Sequence, residues 1–194
     1  MTEYNYELKI PMDRIAVLIG KNGEIKKYIE EETKTKLKID SDEGDVFVSG
    51  EDALGLFNAR EVIRAVGRGF NPDVAQVLLK GDYIFETINI MDFSGKSKDN
   101  MLRLKGRVIG SEGKSRRTIE NLSDTRISVY GKTIAIIGQP ENVGAAKRAI
   151  ESLLTGSQHA NVYKWLEKNR RELKRKEFVG EDKSLFKEFK EKSK

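Results

Sequence analysis

The spacing of apolar residues switches repeatedly between strand and helix periods. Residues 6–10 alternate, with Tyr6, Leu8 and Ile10 on one face, and predict a strand that Pro11 ends. Residues 12–19 place Ile15, Leu18 and Ile19 on one face and predict a short helix with Asp13 near its start. A second helix is predicted over 24–34, with Ile25 and Ile29 as its buried stripe and Tyr28 at the edge. Leu37 and Ile39 alternate in a strand, 42–45 is a turn, and 46–48 returns as another strand. A long helix over 53–66 then carries Leu54, Phe57, Val62 and Ile63.

The same order comes round again. A strand is predicted over 84–90, helices over 100–109 and 114–123, and a strand through Ile127 and Val129. A tight turn at Gly131-Lys132 leads to a return strand over 133–137. A long helix runs over 142–154, with Pro140 at its start, where a missing N–H costs nothing. The frames agree in detail: Ile29 with Ile119, Thr35 with Thr125, Leu37 with Ile127 and Ile39 with Val129. The repeats differ ahead of the glycine loop, where the second has extra chain that includes residues 92–97. A period near 90 residues is too long for a solenoid and predicts two tandem domains. The expected organisation is a first domain at 4–67, a connector at 68–81, a second domain at 82–155, a basic helix at 156–178 and a charged tail at 179–194. Phe70, Val74, Ala75, Val77 and Leu78 make the connector apolar enough to pack the two domains together. In the tail, Leu185, Phe186 and Phe189 leave one amphipathic turn or disorder open.

Between the paired helices of each repeat stands Gly-x-x-Gly: Gly20-Lys21-Asn22-Gly23 and Gly110-Ser111-Glu112-Gly113. One such loop is common by chance, whereas two in register mark a duplicated module. Glycine permits left-handed backbone and close approach of another backbone. The helix that follows turns its positive end toward the loop, which suits phosphate. Such contacts hold a nucleic-acid backbone without reading sequence, so bases must be read beside the loop.

Charge sharpens this picture. The chain has 36 basic and 31 acidic residues, formally +5, which alone identifies nothing. Eight basic residues lie between Lys96 and Arg117 against only Asp99 and Glu112, and seven lie in 164–176 against Glu167 and Glu172. Such clusters can steer and hold phosphates. Residues 20–45 hold six lysines against eight acids, net −2, while 110–135 hold five basic residues against three acids, net +2. The second repeat is therefore the expected stronger RNA site, and the first a scaffold, a weaker RNA site or a protein-docking surface.

Several chemistries are disfavoured. With no cysteine, disulfides and thiolate sites are excluded, which fits a reducing cytoplasmic setting, and one histidine, His159, does not make a metal site. No cofactor is implied. The sequence carries no apolar run of membrane-spanning length and no signal-peptide pattern. Gly113-Lys114-Ser115 and Gly95-Lys96-Ser97 resemble the end of a P-loop, but Val108 and Ile90 stand where its first glycine belongs. No nucleophile–base pair suggests itself, so a non-catalytic protein is expected.

The order strand, helix, Gly-x-x-Gly, helix, strand, strand, helix resembles the type I KH domain, over most of 4–67 and 82–155. That resemblance implies an α+β fold of two tandem type I KH domains, here with a C-terminal basic helix, and a loop that clamps about four nucleotides of single strand. Glu112 stands where a basic or neutral residue is more usual, and Lys26 and Arg116 where KH domains often carry an aliphatic groove residue. The join Ala65-Val66-Gly67-Arg68-Gly69-Phe70-Asn71-Pro72, the segment 110–119 and the trailing 156–163 resemble the Dim-two family. That family is also called partner of Nob-one and is related to the Krr-one KH factors. The resemblance implies a non-catalytic factor of small ribosomal subunit maturation that binds single-stranded rRNA near its 3′ end. It also implies work beside the endonuclease that trims that end and beside other assembly or translation proteins. A general mRNA regulator and a protein scaffold with vestigial loops remain open. The candidate RNA-binding residues are Lys105, Arg107, Ile109, Gly110, Ser111, Glu112, Gly113, Lys114, Ser115, Arg116, Arg117 and Ile127 in the second repeat. In the first they are Gly20, Lys21, Asn22, Gly23, Lys26 and Lys27.

Overall fold

The computed structural model describes the backbone of residues 4–191 and the side-chain surroundings of residues up to 175. Its elements follow the two-fold order of the sequence. In the first repeat they are β1 (Tyr4–Lys9), α1 (Met12–Ile19), α2 (Glu24–Thr33), β2 (Lys36–Ile39), β3 (Asp45–Gly50) and α3 (Ala53–Gly67). Helical turns at α4 (Pro72–Ala75) and at Gln76–Leu79 lead into the second repeat. There the elements are β4 (Ile84–Asn89), α5 (Met91–Ser94), α6 (Lys98–Ile109), α7 (Lys114–Ser123), β5 (Arg126–Tyr130), β6 (Thr133–Gly138) and α8 (Pro140–Leu154). A final helix, α9, spans His159–Glu191.

Each repeat is one antiparallel three-stranded sheet with its return strand in the middle, in the orders β1-β3-β2 and β4-β6-β5. The inner face of the first sheet (Leu37, Val46, Val48) meets Ile15, Leu18 and Ile29 from α1 and α2 and Ala59, Val62, Ile63 and Val66 from α3. The second core repeats this with Ile127, Ile134 and Ile136 against Leu104, Val108, Ile119, Ala146, Ile150 and Leu153. Two details recur in both copies. The helix after the loop ends on a left-handed residue, Lys34 at φ 53° and Asp124 at φ 50°. Paired hydroxyls, Thr33 with Thr35 and Ser123 with Thr125, lie 2.8 Å apart beneath that turn.

Leu54 and Phe57 do not join the core stripe of α3. They are 66% and 52% exposed, because the buried face follows Leu56, Ala59, Val62, Ile63 and Val66. The backbone of α9 stays helical past residue 178, where a charged tail was expected. Gly180 alone disfavours a helix by only about 1 kcal/mol relative to alanine, and the lysines and glutamates around it are good helix formers. The side chains of Leu185, Phe186 and Phe189 lie outside the described residues. Val162 and Leu166 of α9 are buried in the second core, and the Arg148 guanidinium sits 4.9 Å over the Trp165 ring. Trp165 is thus a packing residue against the second domain.

The repeats pack as one body through the connector. Phe70, Ala75 and Leu78 share a core with Ala135 and Ile137, which lie on the outer face of the second sheet. Phe70 meets Phe85 edge-on at 6.5 Å, and the Arg64 guanidinium lies 5.3 Å from the Phe85 ring centre. Ser128 Oγ donates to Arg68 O at 2.9 Å, and the Tyr130 hydroxyl donates to the Asp13 carboxylate at 2.7 Å. Gly69 permits this approach: at φ +94° its missing Cβ would stand 2.7 Å from Ser128 Oγ. An arginine braces the end of each long helix. Arg14 donates to Val66 O and Phe70 O at 2.9 and 2.6 Å, and Arg107 donates to Leu153 O and Ser157 O at 3.0 and 2.6 Å.

Candidate nucleic-acid interface

The two glycine loops are built alike. Gly20 lies at φ 74° and ψ 177° and Gly110 at φ 72° and ψ 174°, and each ends the preceding helix. A Cβ there would stand 2.9 Å from Ile25 N in the first loop and 2.7 Å from Ser115 N in the second. The first glycine of each loop is thus required by the helix that follows it. Asn22 (φ 53°) and Glu112 (φ 52°) then turn left-handed. At Gly23 a Cβ would meet nothing within 4 Å. At Gly113 it would meet only the Arg117 guanidinium, 3.6 Å away. The second glycine therefore leaves the outer surface of the loop open. No side chain caps α2 or α7 at this end.

The candidate residues divide by position. Ser111, Glu112, Lys114 and Arg117 are exposed around the second loop, as are Lys21, Asn22 and Lys27 around the first. Lys105 and Ile109 are half-buried on α6. Ser115 lies beneath the loop rather than on it: its side chain is buried, and its Oγ has no hydrogen-bond partner. Ile127 is a core residue, because the inward positions of β5 face Ile119 and Ile134. Arg107 has committed its guanidinium to the brace on Leu153 and Ser157. His159 Nε2 lies 2.8 Å from Arg107 O, a local packing role.

Two residues at the site were not singled out from the sequence. Glu30 Oε1 accepts from Leu37 N at 2.7 Å, and Glu120 Oε1 accepts from Ile127 N at 2.8 Å. Each glutamate also faces the residue at the family's groove position: Lys26 Nζ at 3.9 Å and Arg116 Nε at 3.7 Å. These side chains tie the helix after the loop to the strand beside it. The signal was present as a glutamate seven residues before a strand residue in both frames.

Among the described residues, no cluster of His, Cys, Asp or Glu could hold a metal ion, and no helix is long and apolar enough to cross a membrane.

Two Gly-x-x-Gly loops, each set between helices on a three-stranded antiparallel sheet, define a tandem KH protein. Residues 5–65 match the KH domain, and residues 84–171 match the second KH domain of PNO1, described as a eukaryotic type, or type I, KH domain. The chain belongs to the Dim2, or PNO1, family of tandem KH proteins. It is 52% identical over 176 residues to a KH domain-containing protein of Methanocaldococcus jannaschii, covering 88% of this chain and 76% of that one. It is 31% identical over 162 residues to the RNA-binding protein pno1 of Dictyostelium discoideum, covering 81% and 68%. Dim2p of Pyrococcus horikoshii, solved in a complex with a/eIF2alpha and rRNA, superposes with a TM-score of 0.82 at 45% identity, covering 88% of this chain and 96% of that one.

Proposed function

We propose that this chain is a non-catalytic RNA-binding factor of small ribosomal subunit maturation. It holds single-stranded rRNA in the 3′-end region, mainly through its second KH domain. The observation that carries this reading is the match, over 88% of this chain, to a Dim2p solved with rRNA. In the mechanism, Ser111 and Glu112 carry the loop backbone, Lys114 and Arg117 hold phosphates, and Arg116 lays its stem along the groove. Bases lie against the half-buried edge formed by Ile109 and Val129. Arginine suits the role because its planar fork matches phosphate oxygens.

Fluorescence anisotropy with the whole protein tests this. The probes are the small-subunit rRNA 3′ end, a scrambled strand and a duplex, at fixed salt. Preference for the rRNA end is the expected result. Equal binding to every strand would overturn the rRNA assignment, and no binding would overturn the RNA reading altogether.

A protein-docking role for the first repeat has its own support. Tyr6, Leu54 and Phe57 are exposed there, and Arg60 stacks 4.6 Å over Tyr6 and 5.7 Å from Phe57. Aromatic and arginine side chains of this kind dominate protein interfaces. A translation factor of the a/eIF2alpha kind and the 3′-end endonuclease are the partners this reading offers for that surface.

A further inference from the structure

The last helix, α9, has two faces of opposite chemistry. One packs on α7 and α8. Val162 and Leu166 are buried there, and Leu173 is half-buried on the same stripe. On a helical wheel, Lys164, Lys168, Arg171 and Arg175 fall on the opposite stripe, and all four are exposed. They cover about 17 Å of helix, roughly one cation per turn. Glu167 and Glu172 stand on the two flanks of the stripe, not on it. Among the described residues, only Lys168 of the four has a carboxylate within ion-pair distance, Glu172 at 3.9 Å.

The stripe is held at a fixed place relative to the second loop. His159 Nε2 lies 2.8 Å from Arg107 O, and Arg107 donates to Ser157 O at 2.6 Å, so α9 starts beside the last turn of α6, which ends at Gly110. The Arg148 guanidinium over the Trp165 ring pins the next turn to α8. Asn169 and Leu173 then stand beside Leu122 and Asp124 at the far end of α7. The helix thus follows α7 on the side away from β5, and its cations face outward, outside the groove between α7 and β5.

We infer that the outward face of α9 grips the phosphate backbone of a double-helical RNA segment flanking the single strand that the KH domains hold. The inference rests on the RNA-binding reading above. The chemistry of the stripe selects the occupant. It carries no aromatic ring, since Tyr163 and Trp165 are half-buried on its flanks, so unstacked bases find no platform there. It carries no large apolar side chain, so a protein partner finds no anchor. What remains is a row of cations on a rigid rod. That suits a duplex, which displays its phosphates and hides its bases. Contacts of this kind add affinity and a preference for folded RNA, not sequence discrimination.

The test uses the whole protein and labelled RNAs that share one single-stranded core. One carries a hairpin stem on its 5′ side, one the same stem on its 3′ side, and one an unpaired extension of equal length. Wild type should bind one of the stem-bearing RNAs at least about tenfold tighter than the unpaired control. Lys164→Gln, Lys168→Gln, Arg171→Gln and Arg175→Gln together should abolish that advantage. They should also make the log affinity–log salt slope of that RNA shallower by about 3.6, at about 0.9 per lost duplex phosphate contact. Affinity for the unpaired control should fall less than about threefold, through the loss of long-range attraction alone. Glu167→Gln with Glu172→Gln, which takes the acids off the flanks, should instead tighten the stem-bearing RNA about threefold. All six side chains are exposed and glutamine is a good helix former, so the fold is not at risk, and matched thermal melts check this. A stem preference that survives the combined variant, or equal losses on every RNA, would overturn the inference. No stem preference in wild type would overturn it as well and leave the stripe to an acidic protein segment. Failure of wild type to bind the shared core would instead overturn the RNA reading on which the inference depends.

Discussion

The outer faces of the two sheets have the same geometry and opposite chemistry. Val46 pairs with Ile39 as Ile134 pairs with Val129, so Phe47 and Ser49 hold the positions of Ala135 and Ile137. In the first repeat that face is wet: Phe47 is exposed and lies opposite Glu7 and Lys38. In the second it is covered by the connector, and Ala135 and Ile137 are buried. The repeats therefore stack in one direction, with the end of the first on the back of the second sheet. The arrangement leaves both loops free, and it makes the second repeat the buried middle of the molecule. Position in the stack, rather than the fold itself, decides which residues a strand can carry.

The sharpest way to break this contrast is one charge on each face. Ala135→Glu buries an unpaired carboxylate between the repeats and should lower stability in urea unfolding by about 4 kcal/mol. Phe47→Glu gains Lys38 opposite it and should cost less than about 1 kcal/mol. Equal effects would mean that the connector does not cover the second sheet.

The arginine brace gives the next contrast. Arg107→Ala frees the Leu153 and Ser157 carbonyls and loosens α9, and should cost about 2 kcal/mol, as charge-assisted bonds do. Because that guanidinium already faces inward, affinity for a short RNA should change less than about twofold. A large loss of affinity with unchanged stability would return Arg107 to the phosphate contacts.

The loops give a subtler comparison. Across 20–27 and 110–117 each repeat carries three basic residues and one acid, so the loops themselves have equal charge. The imbalance comes from Glu31 and Glu32, where the second repeat has Asn121 and Leu122, and from the acidic turn Asp40 to Asp45, where the second repeat has Lys132; Lys98 and Lys105 add to it ahead of the second loop. If wider charge sets affinity, Ser111→Asp should weaken RNA about tenfold and Asn22→Asp, the same single added charge, less than about threefold. Aspartate tolerates the left-handed backbone at the third loop position, so the loop should survive both changes. Equal losses would show that charge at the loop, not the wider charge of the repeat, sets affinity.

Most of this architecture was legible in the chain, because a repeat states each element twice. Residues 12–19 and 114–123 emerged as helices with those bounds. The loops were legible because glycine is the residue their backbone demands. Other features were written less plainly. The pattern of α3 does not show that Phe57 lies off the core, because a single helix cannot show which of two apolar edges meets its sheet. Arg107 and Ser115 stand beside the loop in sequence but face inward, and sequence proximity to a loop does not say which way a side chain faces. The covered face of the second sheet had a signal: Ile134 to Ile137 is an unbroken apolar run, the pattern of a strand buried on both sides, whereas the first repeat has Ser49 where the second has Ile137.

The smallest effect concerns the single polar bond that ties α1 of the first repeat to β5 of the second. Tyr130 donates to the Asp13 carboxylate, and this bond, followed by burial and the Asp13 charge, raises its pKa above the ordinary 10.0. The folded chain therefore holds this proton more tightly than the unfolded chain. The stabilisation is complete below about pH 10, where both states are protonated, and is lost as pH rises through the folded value. Tyr130→Phe should cost about 1 kcal/mol at neutral pH. Its deficit relative to wild type should shrink above pH 10, as wild type surrenders the same bond. Urea unfolding of both proteins at neutral pH and near pH 11 reads this directly, with the lysine titrations common to both cancelling in the difference. A deficit that stayed constant through the alkaline range would mean that the phenol contributes packing against Gly69, not a proton to Asp13. The Ser128–Arg68 bond would then remain as a polar tie between the repeats.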